Sequence, residues 1–146
     1  LNTPVHASGL KFGPGGFEMI QQSLHDDEVL EQAFDALTGE RLCKEWQIFK
    51  SRQTRENRVR KAQADYLINC RDQGFQSLAE GNTTPMLIIV GEHDIEPFRQ
   101  QDIEDSLMKW YPNAELALCA NAGHYPQQEA PVFVATIIND FLQRQL

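Results

Sequence analysis

The sequence predicts an α/β protein: two parallel strands with flanking helices, preceded by a helical segment. Three observations carry that expectation. Met86 to Val90 (MLIIV) is a short, uninterrupted apolar run bounded by Pro85 and Gly91. Such a run fits a central strand of a parallel sheet, buried on both faces; a buried helix segment is the alternative by pattern alone. Ala114 to Cys119 (AELALC) is a second strand candidate, interrupted by Glu115. Between the two, Phe98, Ile103, Leu107, Trp110 and Tyr111 recur near helical spacing until Pro112-Asn113 stops the run. Strand, helix, strand makes a βαβ unit, whose crossover is expected to be right-handed.

The flanking elements follow in order. Pro131 suits the first turn of a closing helix in which Val132, Phe133, Thr136, Ile137, Asp140 and Phe141 fall at helical spacing, most of them apolar. Residues 17 to about 75 read as helical. There, Asp26 or Asp27 caps a helix carrying Val29, Leu30, Ala33, Phe34 and Leu37, which ends at Thr38-Gly39. Leu42, Trp46 and Phe49 mark a second helix at i, i+4, i+7. A third runs from about Glu56 to Asp72, with Gly74 as its stop. A Gly/Pro-rich stretch over 4–16 leads out of the core, and AEGNTTP leads back into it. The expected organisation is therefore a helical cap or lid over 4–80 and core over 81–146.

Parallel pairing puts the ends of both strands on one edge of the sheet. Asp94 follows the first strand and His124 the second. Neighbouring strands lie about 4.8 Å apart, so side chains leaving them come within hydrogen-bond reach. An aspartate that orients a histidine, with the histidine carrying protons, needs that arrangement. Asp94 could instead merely cap the next helix, and His124 could be a structural loop residue. His93 is expected to be a neighbour lining the site, and Glu92 and Glu129 are further groups that could contact the imidazole. Trp46, Phe49 and Tyr66 are candidate substrate-binding residues from the lid, or else part of the lid's own core.

Composition excludes several functions. With 41% hydrophobic and 23% charged residues, the chain has the make-up of a globular domain. A net charge of −8 opposes nucleic-acid binding, which needs a basic surface. The one locally basic stretch, KSRQTRENRVRKAQADY over 50–66, reads as the solvated face of a helix with Val59, Ala62, Tyr66, Leu67 and Cys70 on its buried side. No apolar run nears the ~20 residues of a membrane span. Three cysteines at irregular spacing form neither a disulfide framework nor a zinc pattern. A cytoplasmic protein is the expectation.

PMLIIVGEHD followed by NAGHYPQQEAPVFVATIINDFL resembles the C-terminal end of an α/β-hydrolase fold protein. In that family a strand ending in G-x-x-D presents the triad acid, a later G-H pair presents the base, and a last helix ending in an apolar F-L pair packs on the sheet. The resemblance implies that Asp94 is the acid and His124 the base. It covers about residues 81–146 and is looser over 4–80, while LNTPVHASG resembles the end of the preceding core strand, which the resemblance places over 1–3. The departure is the nucleophile, which the family carries in a G-x-S-x-G elbow upstream of both acid and base. Ser8, Ser23, Ser51, Ser77 and Ser106 all lack those glycines, as do Cys43, Cys70 and Cys119. The resemblance therefore implies a hydrolase of an ester, lactone, thioester or related carbonyl substrate, needing neither metal nor organic cofactor. Its nucleophile and remaining strands would lie outside these residues, in the N-terminal half of the same hydrolase. A non-catalytic small-molecule-binding protein on the same fold is the alternative.

Overall fold

In a computed structural model of the chain, residues 14–72 and 76–146 are described, with backbone alone for 67–72 and 76. The expectations for the strand end at 1–3, for most of the 4–16 connection and for a stop at Gly74 fall outside the described residues.

The first part of the chain is helical. Helix α1 (Gly16–Ser23) buries Phe17, and α2 (Asp27–Leu37) buries Leu30 and Phe34. Asp26 caps α2 by accepting from the backbone N–H groups of Glu28 at 2.9 Å and Val29 at 3.3 Å, satisfying two of the donors a helix start leaves open. Thr38 turns extended and ends the helix. The next two helices, α3 (Lys44–Asn57) and α4 (Arg60–Asp72), divide at a different place from the one expected. The single helix from Glu56 is broken because Arg58 adopts an extended backbone and reaches under α1 and α2. Its Nη1 donates to the Ser23 carbonyl at 2.6 Å, its Nη2 lies 3.8 Å from Asp27, and its buried side chain is held below the ordinary guanidinium pKa by desolvation.

The basic stretch also corrects the pattern reading. Val59, Ala62 and Tyr66 are exposed rather than buried, with Val59 at 69%. The apolar side chains described in α4 are two alanines and one tyrosine, and Val59 precedes the helix. The side chains of Leu67 and Cys70 lie outside the described residues.

A short helix α5 (Gln76–Ala79) leads into strand β1 (Met86–Gly91). The crossover then comprises α6 (Gln100–Asp105) and α7 (Leu107–Trp110), followed by strand β2 (Ala114–Cys119), a turn of helix α8 (Pro126–Glu129) and α9 (Pro131–Gln143). One continuous crossover helix was expected. Ser106 breaks it: its hydroxyl donates back to the Asp102 carbonyl at 2.6 Å and its backbone leaves helical geometry. The break lets Ile103, Leu107 and Trp110 all enter one core with Val90 and Ala79.

Strands β1 and β2 pair in parallel, Met86 opposite Ala114 through Gly91 opposite Cys119. Both therefore end on one edge. Met86 to Ile89 are only half-buried, short of the two-sided burial expected for a central strand, because β2 is the one strand beside β1 among the described residues. Helix α9 buries Val134 and Phe141 while Val132, Phe133, Ile138 and Leu142 stay exposed. No helix among the described residues is long and apolar enough to cross a membrane.

Candidate active site

Three glycines let the loops beyond the strands close on one another. A Cβ on Gly91, the last residue of β1, would stand 2.0 Å from the Gly123 carbonyl oxygen. One on Gly123 would stand 2.5 Å from the Leu37 carbonyl oxygen, and one on Gly39 would stand 2.5 Å from the Gly123 nitrogen. Backbone approaches that close leave no room for a side chain. The stretch after α2 thus lies directly against the stretch after β2.

Within this frame Asp94 and His124 meet. The His124 Nδ1 lies 2.9 Å from Asp94 Oδ1, with side chains 12% and 4% exposed. The same Oδ1 accepts from the Ile95 N–H at 2.8 Å. An ionised carboxylate has acceptors only, so this hydrogen bond selects the form of the imidazole with a proton on Nδ1. Asp94 does not cap a helix; the residue before α6 is Arg99, bound to Asp102 in a capping box. The backbone of His124 is fixed by donation from its N–H to the Leu37 carbonyl at 2.7 Å.

An aromatic wall surrounds the imidazole. Phe98 sits with its ring centroid 4.6 Å from that of His124, and Tyr125 packs edge-on at 5.3 Å. Behind Tyr125 stand Phe34 from α2 and Trp46 from α3, each at 6.1 Å. Trp46 is thus one ring removed from His124. Phe49 and Tyr66 stand outside this cluster, each 46% exposed, and the Phe49 ring meets the Arg52 guanidinium instead. Phe98 was read as part of the crossover helix; it lies before α6, in the turn where its N–H bonds the Ile95 carbonyl at 2.7 Å.

The neighbouring carboxyl groups serve the loop rather than the ring. Glu92 Oε2 accepts from the Asn121 N–H at 2.8 Å. Buried Glu129 accepts from Gly123 at 2.8 Å and from Gly39 at 2.9 Å. His93 is exposed, and its N–H bonds the Ala122 carbonyl. No group of three side chains suited to a metal ion occurs among the described residues.

Burial, and secondarily the nearby Asp94, pushes the Tyr125 hydroxyl up to about 12. Tyr125 therefore remains a neutral phenol beside the imidazole. A folded-state pKa above the unfolded value of 10.0 means the folded chain holds a proton that the unfolded chain releases. Stability is consequently lost as pH rises from 10 toward 12. Tyr125→Phe is expected to move the midpoint of alkaline unfolding upward; an unchanged midpoint would show that this phenol does not limit alkaline stability.

No family model and no curated protein matches the chain. Solved structures do. A bromoperoxidase from Bacillus anthracis superposes with a TM-score of 0.74 at 15% identity, covering 90% of this chain and 50% of its own. The two parallel strands, the helices between and after them, and this superposition agree. The chain has part of the α/β-hydrolase fold. An esterase from Exiguobacterium antarcticum matches with a TM-score of 0.73 at 16% identity, over 95% of this chain and 53% of that one. A thermophilic esterase from Thermogutta terrifontis follows at 0.72 and 18%, over 93% and 53%. The chain thus spans about half the length of the α/β-hydrolases it matches.

Proposed function

We propose that this chain supplies the acid and the base of a nucleophile-His-Asp triad that hydrolyses an ester, lactone, thioester or related carbonyl substrate. The observation carrying the reading is the buried 2.9 Å hydrogen bond between His124 Nδ1 and Asp94 Oδ1 at the common edge of β1 and β2. The bond leaves Nε2 able to accept a proton from a nucleophile hydroxyl as it attacks the substrate carbonyl. Nε2 then returns that proton to the departing alcohol or thiol, and a water activated the same way releases the acyl group. Asp94 keeps the imidazole in the needed tautomer and stabilises the imidazolium. Trp46, Tyr125 and Phe98 form an apolar wall for the acyl part of the substrate.

The nucleophile and the remaining strands belong to a segment outside these residues. Several features support that division. Ser23, Ser51 and Ser106 are buried and donate to the carbonyls of Ile20, Ile48 and Asp102 in their own helices, so none is placed to attack a substrate. Cys119 is buried and its thiol pKa is raised by desolvation, which disfavours the thiolate. The half-buried β1 and the exposed apolar face of α9 offer surfaces for further strands and helices to cover.

The test is covalent labelling. The complete protein, treated with a fluorophosphonate ester, is expected to take one label on a serine outside residues 1–146, located by peptide mass spectrometry. Labelling of any serine within this chain would sink the division of the triad. A protein that binds the reagent without bond formation would favour the binding-protein reading.

A further inference from the structure

We propose that Glu129 is a positioning residue that couples the helical cap to the catalytic base. For its effect on rate, the proposal rests on the role given to His124 above. The carboxyl group of Glu129, buried at the end of α8, bridges two backbone segments far apart in sequence. Oε1 accepts from the N–H of Gly123, the residue before the base, at 2.8 Å. Oε2 accepts from the N–H of Gly39, just past α2, at 2.9 Å. Three further bonds tie the same two segments directly. The His124 N–H donates to the Leu37 carbonyl at 2.7 Å, the Glu40 N–H to Asn121 at 3.0 Å, and Arg41 Nε to the Ala120 carbonyl at 2.8 Å.

The geometry has a mechanical consequence. Segments 37–41 and 120–124 touch backbone to backbone, and neither Gly39 nor Gly123 has space for a Cβ. A shift of α2 and α3 is therefore transmitted to the peptide that carries the imidazole. The ring itself is steered from the same side, because Tyr125 bridges His124 to Phe34 of α2 and Trp46 of α3. Glu129 fixes the registration of the two segments with two bonds held away from water, where competition from solvent is least. Substrate that moves the cap would thus move the base, and the resting alignment depends on this carboxyl group.

A buried carboxyl group could also serve stability alone, so the experiment must read His124 itself. In the complete protein, steady-state hydrolysis of an activated ester is measured together with the proton resonance of the His124 Nδ1–H. Glu129→Gln keeps the shape but turns an NH₂ toward one of the two N–H donors, cutting one bond. It is expected to lower kcat about tenfold with KM within about twofold, and to broaden the Nδ1–H signal. Glu129→Ala cuts both and is expected to cost about a hundredfold, the scale of an ångström misplacement of a reacting group. A Glu129→Gln protein with wild-type kcat and an unchanged resonance overturns the proposal, as does one that loses only melting temperature. If the wild type turns over no ester yet the resonance broadens as described, the coupling stands and the catalytic reading of His124 fails.

Discussion

His124→Ala is expected to lower kcat for an activated ester by about 10⁴–10⁶-fold in the complete protein, leaving only what oxyanion stabilisation and binding provide. The substitution also disturbs packing. It removes a ring held between Phe98 and Tyr125 and takes away the Nδ1 donor, leaving Asp94 Oδ1 with the Ile95 N–H. Exposing a buried carboxylate to that loss costs roughly 1–3 kcal/mol of stability, so a fall in melting temperature alone would not establish a chemical role. His124→Asn separates the two effects. Its side-chain amide nitrogen stands near the position of Nδ1 and can still donate to Asp94, but nothing replaces Nε2. We expect His124→Asn to recover much of the lost stability and none of the lost rate. Wild-type-like turnover by either variant would remove His124 from the mechanism.

The parts of this architecture that were legible in the sequence are those set by local pattern. MLIIV was legible as a strand candidate from its short apolar run between Pro85 and Gly91, with a buried helix segment as the alternative, and AELALC as a weaker candidate because Glu115 interrupts it. The start of α2 was legible in Asp26, whose side chain satisfies its own helix. The meeting of Asp94 with His124 followed from parallel pairing, since each lies a few residues past a strand and the register aligns Gly91 with Cys119. What was hidden depends on contacts between distant segments. Periodicity counts residues without seeing Ser106 bend back to Asp102, so two helices read as one and Phe98 was absorbed into them. Arg58 breaks a helix to reach Ser23, 35 positions away, and nothing local announces it. Glu129 was legible only as a carboxyl group near the imidazole; its bond to Gly39, 90 positions away, became visible with the fold.

Asp94→Asn is expected to reduce kcat by about 10²–10⁴-fold while KM stays within a fewfold of wild type. The usual damage from this change is loss of tautomer control: an amide can turn its NH₂ to the imidazole, so that Nδ1 accepts and Nε2 carries the proton uselessly. Here the two donors to the carboxylate, Ile95 N–H and His124 Nδ1, converge on the same oxygen. An asparagine that keeps its carbonyl oxygen there retains both bonds, whereas the flipped amide would set NH₂ against the Ile95 N–H. That backbone donor therefore favours the productive tautomer, and much of the loss falls on the charge that stabilises the imidazolium. Asp94→Ala removes oxygen and charge together and should fall at or below Asp94→Asn in rate. Glu92→Gln and Asp102→Asn are the controls, because Glu92 holds Asn121 and Asp102 holds Arg99, both away from the ring. Steady-state kinetics of the four variants decide the matter. If Asp94→Asn stays within a fewfold of wild type while a control collapses, the acid is the residue in that control, and the hydrogen bond at His124 Nδ1 is structural.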